Sequence, residues 1–350
     1  MIEKFIKDEY IMHRYENNPL ITKEMFPKKV MSVFNCGQAM YQGKYVLLIS
    51  CIFEEEGQIK TEIHAAFSED GIHFDIDKEP LCKDTNWAPN VPGDYDCWVI
   101  DPRVTQIGDE YYIVRPAQVR YPLGRDIGPA AILEKTKDFK TVEFVECIGL
   151  PINRVPCLFP EKINGEYVRL DRPYGIPRLT NMPEAFMYDA LTYGMWISYS
   201  PDMIYWGRHR PFFNPCQEFA NYKIGPTPPI KTKDGWLEIY HAVYCENGEY
   251  VYSLSAMLMD LNDPSKILYV LDRPILAPST DYELYGNSGN TCFACGALAD
   301  EEKDEIRIYY GAADERIALA TGKLSELLDE LKKHPLSDIE CYNDCSLSKR

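Results

Sequence analysis

One short pattern recurs five times in this chain and constrains its fold more than any other feature. Each copy is a turn with Gly or an acidic pair, then a strand rich in Tyr, Val, Ile and Leu. The copies read Gly43-Lys-Tyr-Val-Leu-Leu-Ile, Gly108-Asp-Glu-Tyr-Tyr-Ile-Val, Gly165-Glu-Tyr-Val-Arg-Leu, Gly235-Trp-Leu-Glu-Ile-Tyr and Asp304-Glu-Ile-Arg-Ile-Tyr-Tyr. They stand roughly 60 to 70 residues apart, the spacing of repeated sheets of about four strands each. A second pattern, a polar turn followed by an aromatic, follows some copies. It appears as Ser68-Glu-Asp-Gly-Ile-His-Phe74, Lys137-Asp-Phe-Lys-Thr-Val-Glu-Phe144 and Ser200-Pro-Asp-Met-Ile-Tyr-Trp206, and it marks the start of an outer strand. Helical periodicity is absent until Lys323–Lys333, where Leu recurs at i, i+3, i+4 and i+7. The expectation is an all-β, five-bladed β-propeller forming one domain over residues 1–350. A short C-terminal helix near residues 323–333 should pack on its outside.

Charge and composition narrow the partners. A net charge of -17 excludes a nucleic-acid ligand, which needs a basic footprint, and an anionic membrane surface. It leaves room for a small anion, because a local basic cluster can sit in an acidic protein. The 25 tyrosines suit strands and sugar-binding surfaces alike, since each ring has an apolar face and a polar edge. The first nineteen residues lack the apolar core of a signal peptide, and no apolar run approaches a membrane span. The 12 cysteines are scattered; Cys292-Phe-Ala-Cys295 has metal-like spacing but no accompanying pair, and reads as buried small hydrophobes. A reduced, cytoplasmic protein is expected. Homo-oligomerisation is left open.

The stretch Trp98-Val-Ile-Asp-Pro-Arg-Val104 places an acid and a base inside an apolar run. It reads either as a structural Asp capped by its own Arg, or as a strand-end carboxylate aimed into a central funnel. Similar mixtures occur about once per blade: Val33-Phe-Asn-Cys-Gly37, Asn153-Arg-Val-Pro-Cys-Leu-Phe-Pro-Glu-Lys162, Tyr222-Lys-Ile-Gly-Pro-Thr-Pro-Pro229, Ile239-Tyr-His241 and Tyr309-Tyr-Gly-Ala-Ala-Asp314. With Asn18-Pro-Leu-Ile-Thr22 and Leu261-Asn-Asp-Pro-Ser-Lys266, this ordered set resembles glycoside hydrolase family 130, the β-mannoside phosphorylases and related β-mannosidases. The resemblance spans roughly residues 14 to 320.

It implies a five-bladed propeller that cleaves β-mannosides with inversion. Asp101 matches the general acid, which in the phosphorylases acts through a hydroxyl of the bound mannose. Asn35 and Asp314 match residues that hold the mannosyl ring, and Arg103 of the same DPR triplet is placed with them. Arg154, Lys223 and His241 match phosphate-binding positions. The residue types fit the chemistry. An inverting hydrolase needs a second carboxylate to activate water. A phosphorylase instead needs cations that hold phosphate in line with the anomeric carbon. Inorganic phosphate is then a co-substrate, and no metal or other cofactor is required. Taken singly, Arg154 also fits a surface ion pair with Glu161, His241 a core histidine, and Lys223 a solvated side chain.

The chain departs from the family pattern in places. Ser50 stands where an Arg is usual, and the loop after it is Glu54-Glu-Glu-Gly57. Val155 follows Arg154 where Asn is common, and Phe293-Ala-Cys295 replaces Phe-Pro-Cys. Four readings remain. The leading one is phosphorolysis to mannose 1-phosphate. The alternatives are an inverting hydrolase, with one of Glu54–Glu56 as base, and a catalytically weak sugar-binding propeller. An arabinan-type hydrolase ranks last, for want of a third carboxylate beside Asp101 and Asp314.

Overall fold

The structure is a computed structural model and describes residues 10–83, 98–120, 126–150, 153–173, 193–215 and 217–339. Five antiparallel sheets follow one another along the chain. The first contains Ser32–Tyr41, Lys44–Glu55, Gln58–Ser68 and Asp75–Ile76. The second contains Arg103–Ile107, Glu110–Arg120, Asp126–Thr136 and Glu143–Gly149. The third contains Cys157–Leu158, Tyr167–Asp171, Met195–Ser200 and Gly207–Phe213. The fourth runs from Lys223–Gly225 through Gly235–Glu246 and Glu249–Met259 to Ile267–Val270. The fifth holds Cys292–Ala294, Glu305–Ala312 and Arg316–Gly322, and its outermost strand is His13–Arg14 from the N-terminal end. The molecule is thus a five-bladed β-propeller whose ring closes through the start of the chain.

The recurring motif found in the sequence is the second strand of every blade. These strands lie between neighbouring sheets, so both faces are covered and alternation gives way to a continuous apolar run. Val46, Leu47, Leu48 and Ile49 in the first blade are all fully buried. The second motif is the turn before the outermost strand, and its chemistry repeats. In Ser68-Glu-Asp70, Thr136-Lys-Asp138 and Ser200-Pro-Asp202 the hydroxyl accepts a backbone N–H three residues on, while the Asp carboxylate accepts the next two. Such side-chain acceptors satisfy the tight turn's backbone donors.

The expected helix forms over Leu324–Leu331 and buries Leu324, Leu327, Leu328 and Leu331. They join the apolar cluster of the fourth and fifth blades from outside. No helix among the described residues is long and apolar enough to cross a membrane.

The innermost strands line the axis. Two of the cavities among the described residues are lined by them, and chemistry rather than size tells the two apart. One, of about 390 Å³, is walled largely by aliphatic and proline side chains such as Met40, Val104, Pro160, Pro228, Ile230 and Leu298. The other, of about 130 Å³, is lined by Asn35, Asp101, Arg103, Arg154, Arg172, Lys223, Tyr252 and Asp314, with Val155, Ser288, Thr291 and Phe293. Only the smaller concentrates ionisable groups.

Candidate active site

Three polar residues of the small cavity sit in the left-handed region: Asn35 at φ 35°, Asp101 at φ 51° and Asp314 at φ 51°. Asn and Asp tolerate this conformation better than other side-chain-bearing residues, which accounts for these residue types here. Asn35 lies at a bulge between Phe34 and Cys36, where the first strand slips against its partner. The bulge turns the Asn35 side chain toward the axis. Gly311 makes room for it: a Cβ there would stand 2.1 Å from Asn35 Oδ1.

Asp101 is only 2% exposed and every polar group it carries is engaged. Its N–H donates to Ser50 Oγ at 3.0 Å, and its carbonyl accepts from Arg103 Nη1 at 2.7 Å. Carboxylate Oδ1 accepts from Asn35 Nδ2 at 2.8 Å, and Oδ2 from Arg154 Nη2 at 2.5 Å. Burial by itself would raise this carboxyl. The Arg154 and Arg103 guanidiniums and the Asn35 amide outweigh it and hold Asp101 below the ordinary carboxylate range. Asp314 has the opposite fate. Burial and the nearby Asp101 charge push it up to about 6.

Arg154 therefore faces the acid, not Glu161, which pairs instead with Lys231. Lys223 is part-buried and donates to the Tyr252 hydroxyl at 2.7 Å. Burial, with Arg172 and Arg154 nearby, lowers its pKa well below that of a free lysine. His241 is buried behind Gly225, where a Cβ would come within 2.6 Å of Nε2. Its ring packs on Phe293 at 4.6 Å, and neither ring nitrogen has a hydrogen-bond partner among the described residues. Burial and four surrounding cations keep it neutral, its pKa well below that of a free imidazole. It flanks the cavity without lining it.

Six of the seven residues singled out from the sequence thus line one cavity, and the seventh stands at its wall. Arg103 does so while anchoring the Asp101 carbonyl, so its guanidinium is committed in part to the acid's backbone. Sequence reasoning missed Arg172 and Tyr252. Arg172 follows Tyr167–Asp171, and its N–H donates to Asn153 Oδ1, while Asn153 Nδ2 donates to Asp171. Asn153 thereby ties the backbone of both arginines, 154 and 172, to one corner of the third blade. The available signal was Asp171-Arg172-Pro173, a second Asp, Arg and Pro triplet at a strand end. Glu54, Glu55 and Glu56 are exposed and none lines the cavity. Ser50, far from leaving a gap, donates to the Asn35 carbonyl at 2.8 Å while accepting from Asp101 N–H. The Cys292 and Cys295 thiols are buried and free.

Four basic side chains, Arg103, Arg154, Arg172 and Lys223, thus meet two carboxylates in one part-enclosed cavity of a strongly acidic chain. That arrangement favours a small polyol together with an inorganic anion. The comparisons with known proteins agree. A family model described as beta-1,4-mannooligosaccharide phosphorylase matches residues 7–333. A beta-1,4-mannooligosaccharide phosphorylase of Ruminococcus albus is 33% identical over 327 residues, spanning 93% of this chain and 92% of that protein. A beta-1,2-mannobiose phosphorylase of Listeria innocua is 32% identical over 381 residues, spanning 92% of this chain and 98% of that one. The solved structure of a beta-1,2-mannobiose phosphorylase from Listeria innocua, in complex with beta-1,2-mannobiose, superposes with a TM-score of 0.75 at 30% identity, covering 92% of this chain and 99% of that one. With its propeller, its cavity and a family match over nearly its whole length, the chain belongs to glycoside hydrolase family 130.

Proposed function

We propose that the enzyme cleaves β-mannosides by phosphorolysis, releasing mannose 1-phosphate with inverted configuration. The observation that carries this reading is the cluster of Arg154, Arg172 and Lys223 that lines one small cavity together with Asp101. Phosphate held by those cations attacks the anomeric carbon as the glycosidic C–O bond breaks. The departing oxygen takes up the proton that Asp101 supplies, through a hydroxyl of the mannosyl ring in the family's manner. Asn35 and Asp314 hold that ring. His241 supports the pocket from behind as a neutral group and gains a proton only if phosphate offsets the surrounding positive charge.

The Asp101–Arg154 ion pair makes the acid depend on its co-substrate. Paired with Arg154, Asp101 is a carboxylate and cannot donate a proton. A phosphate dianion draws Arg154 toward itself and adds negative charge nearby, and both effects raise the Asp101 pKa. The acid is therefore armed when phosphate is bound. Oligosaccharide mannosides are the proposed substrates. A reducing, cytoplasmic setting is supported by Cys36, Cys51, Cys157, Cys292 and Cys295, buried as thiols outside any disulfide.

Incubation with β-1,4- and β-1,2-mannobiose, with and without phosphate, tests the reading. Phosphate-dependent release of mannose 1-phosphate is the expected result. Cleavage indifferent to phosphate would overturn it in favour of inverting hydrolysis, for which Asp314, the other carboxylate lining the cavity, is the candidate base. Asp101→Asn should lower kcat by about a thousandfold with either nucleophile. A fully active variant would remove Asp101 as the acid.

A further inference from the structure

Three side chains of metal-binding type meet in the first blade. The strands Lys44–Glu55 and Gln58–Ser68 pair with Cys51 directly opposite Glu62, and His64 follows Glu62 by two residues. Directly opposed residues share a face of a sheet, as do residues two apart on one strand, so all three side chains leave the same side. One donor atom from each, the Cys51 sulfur, a Glu62 carboxylate oxygen and a His64 ring nitrogen, lies within 4.8 Å of the other two. Cys51 and His64 are fully buried, and the Glu62 side chain is 18% exposed. The rings of Phe26 and His64 meet edge to face at 4.9 Å, which gives the group an apolar wall. None of the three lines the catalytic cavity.

The contacts of His64 point to a cation. Nδ1 lies 2.9 Å from the Asp77 carbonyl, which can only accept, so Nδ1 carries a proton. A neutral ring then turns the lone pair of Nε2 toward Glu62 Oε2, 3.3 Å away, acceptor facing acceptor. A positive charge between the two atoms resolves that conflict. A backbone carbonyl on the far ring nitrogen is also the support that metal-ligating histidines carry. Part of the charge comes from Lys28, whose ammonium binds Glu62 Oε2 and stands over the Phe53 ring at 3.6 Å. The Lys28 side chain is 32% exposed, so it can turn outward to solvent. We propose that Cys51, Glu62 and His64 ligate one zinc ion, which displaces Lys28 and keeps a water in its fourth position. One thiolate, one imidazole and one carboxylate suit zinc better than magnesium or calcium, which take oxygen ligands. Burial pushes the Cys51 thiol up to about 12, so the ion must displace its proton, which passes to solvent.

Calorimetric titration of the full chain with Zn2+, after a chelator has stripped it of metal, tests the site. One equivalent should bind, with an affinity that rises from pH 6 to pH 8 as the thiol proton is lost more readily. Co2+ in place of zinc should give a thiolate-to-metal charge-transfer band in the near-ultraviolet. Cys51→Ser should abolish that band and weaken zinc binding at least about tenfold. Lys28→Met should keep the band and tighten binding about fivefold, because the ion no longer competes with an ammonium for Glu62. This second variant decides the matter if Cys51→Ser does not fold. No bound zinc, a cobalt band that survives Cys51→Ser, or an affinity unmoved by Lys28→Met would each overturn the site. Any of these would leave a proton, not a metal, between His64 and Glu62.

Discussion

Ser50 joins the two residues on which the acid's placement depends. Its hydroxyl donates to the carbonyl of Asn35 and accepts from the N–H of Asp101, and both of those residues hold left-handed backbone. Such conformations cost of order 1–3 kcal/mol each in general and persist where the surroundings over-determine them. An Arg at this position, as the family pattern has it, would bring charge; Ser brings a buried clasp. Arg172, from the third blade, is among the cations that line the cavity. Its place beside Arg154 could not be read in the sequence. Arg154 and Arg172 adjoin only because Asn153 bridges to Pro173 across the third blade. Asp314 gives a testable consequence at this scale. Its carboxyl is raised above the unfolded value, so its ionisation opposes folding, and the penalty appears as pH rises through about 6. Asp314→Asn should therefore raise Tm at pH 7.5, and the gain should fade as pH falls below 6 toward 4. A gain of the same size at both pH values would remove the ionisation as its cause. Mannoside cleavage should fall in the same variant, because the residue is kept for the sugar and not for stability.

The elements were the most legible level. Each strand motif found in the sequence is a blade's second strand, where enclosure on both faces favours apolar residues, with buried charges such as Arg169 and Glu238 as exceptions. The polar turns before the outer strands reflect a local rule, a hydroxyl and a carboxylate feeding backbone donors within three residues, which needs no tertiary contact to operate. The helix at Leu324–Leu331 announced itself by its Leu spacing for the same reason. Glycines were harder to interpret. Gly311 lies in Glu305–Ala312, where a Gly ordinarily weakens a strand, yet its missing side chain is the space that Asn35 occupies. Gly311→Ala should displace Asn35 and so loosen its hold on Asp101. We expect kcat to fall at least tenfold, with a stability loss of about 1–3 kcal/mol for overpacking. Steady-state kinetics beside urea denaturation check both, and unchanged kcat in a folded variant would refute the role given to Asn35.

At the scale of the whole molecule, the start of the chain closes the ring through backbone bonds from His13 to Ile21 and a buried ion pair. His13–Arg14 pairs with Arg316–Gly322, and Arg14 makes a bidentate contact with the fully buried Glu283, at 2.8 and 2.9 Å. Tyr310 donates to the same carboxylate at 2.7 Å. Removing one member of such a pair strands the other in low dielectric. Arg14→Ala should destabilise the fold by about 3–5 kcal/mol in urea melts, and Arg14→Ala with Glu283→Gln should recover part of that loss. No recovery would mean that the fifth blade is held by its strand pairing and not by charge. The sequence by itself determined the repeat, the strand character of each blade and the C-terminal helix, because these follow from periodicity and from short local motifs; the acid and three of its cations were legible only through the resemblance to family 130. Only the tertiary structure decided which cations share a cavity, that Ser50 clasps the acid and that Glu54–Glu56 stay outside. Those facts depend on how five separately encoded sheets converge on one axis, and convergence is set by packing between residues far apart in the chain.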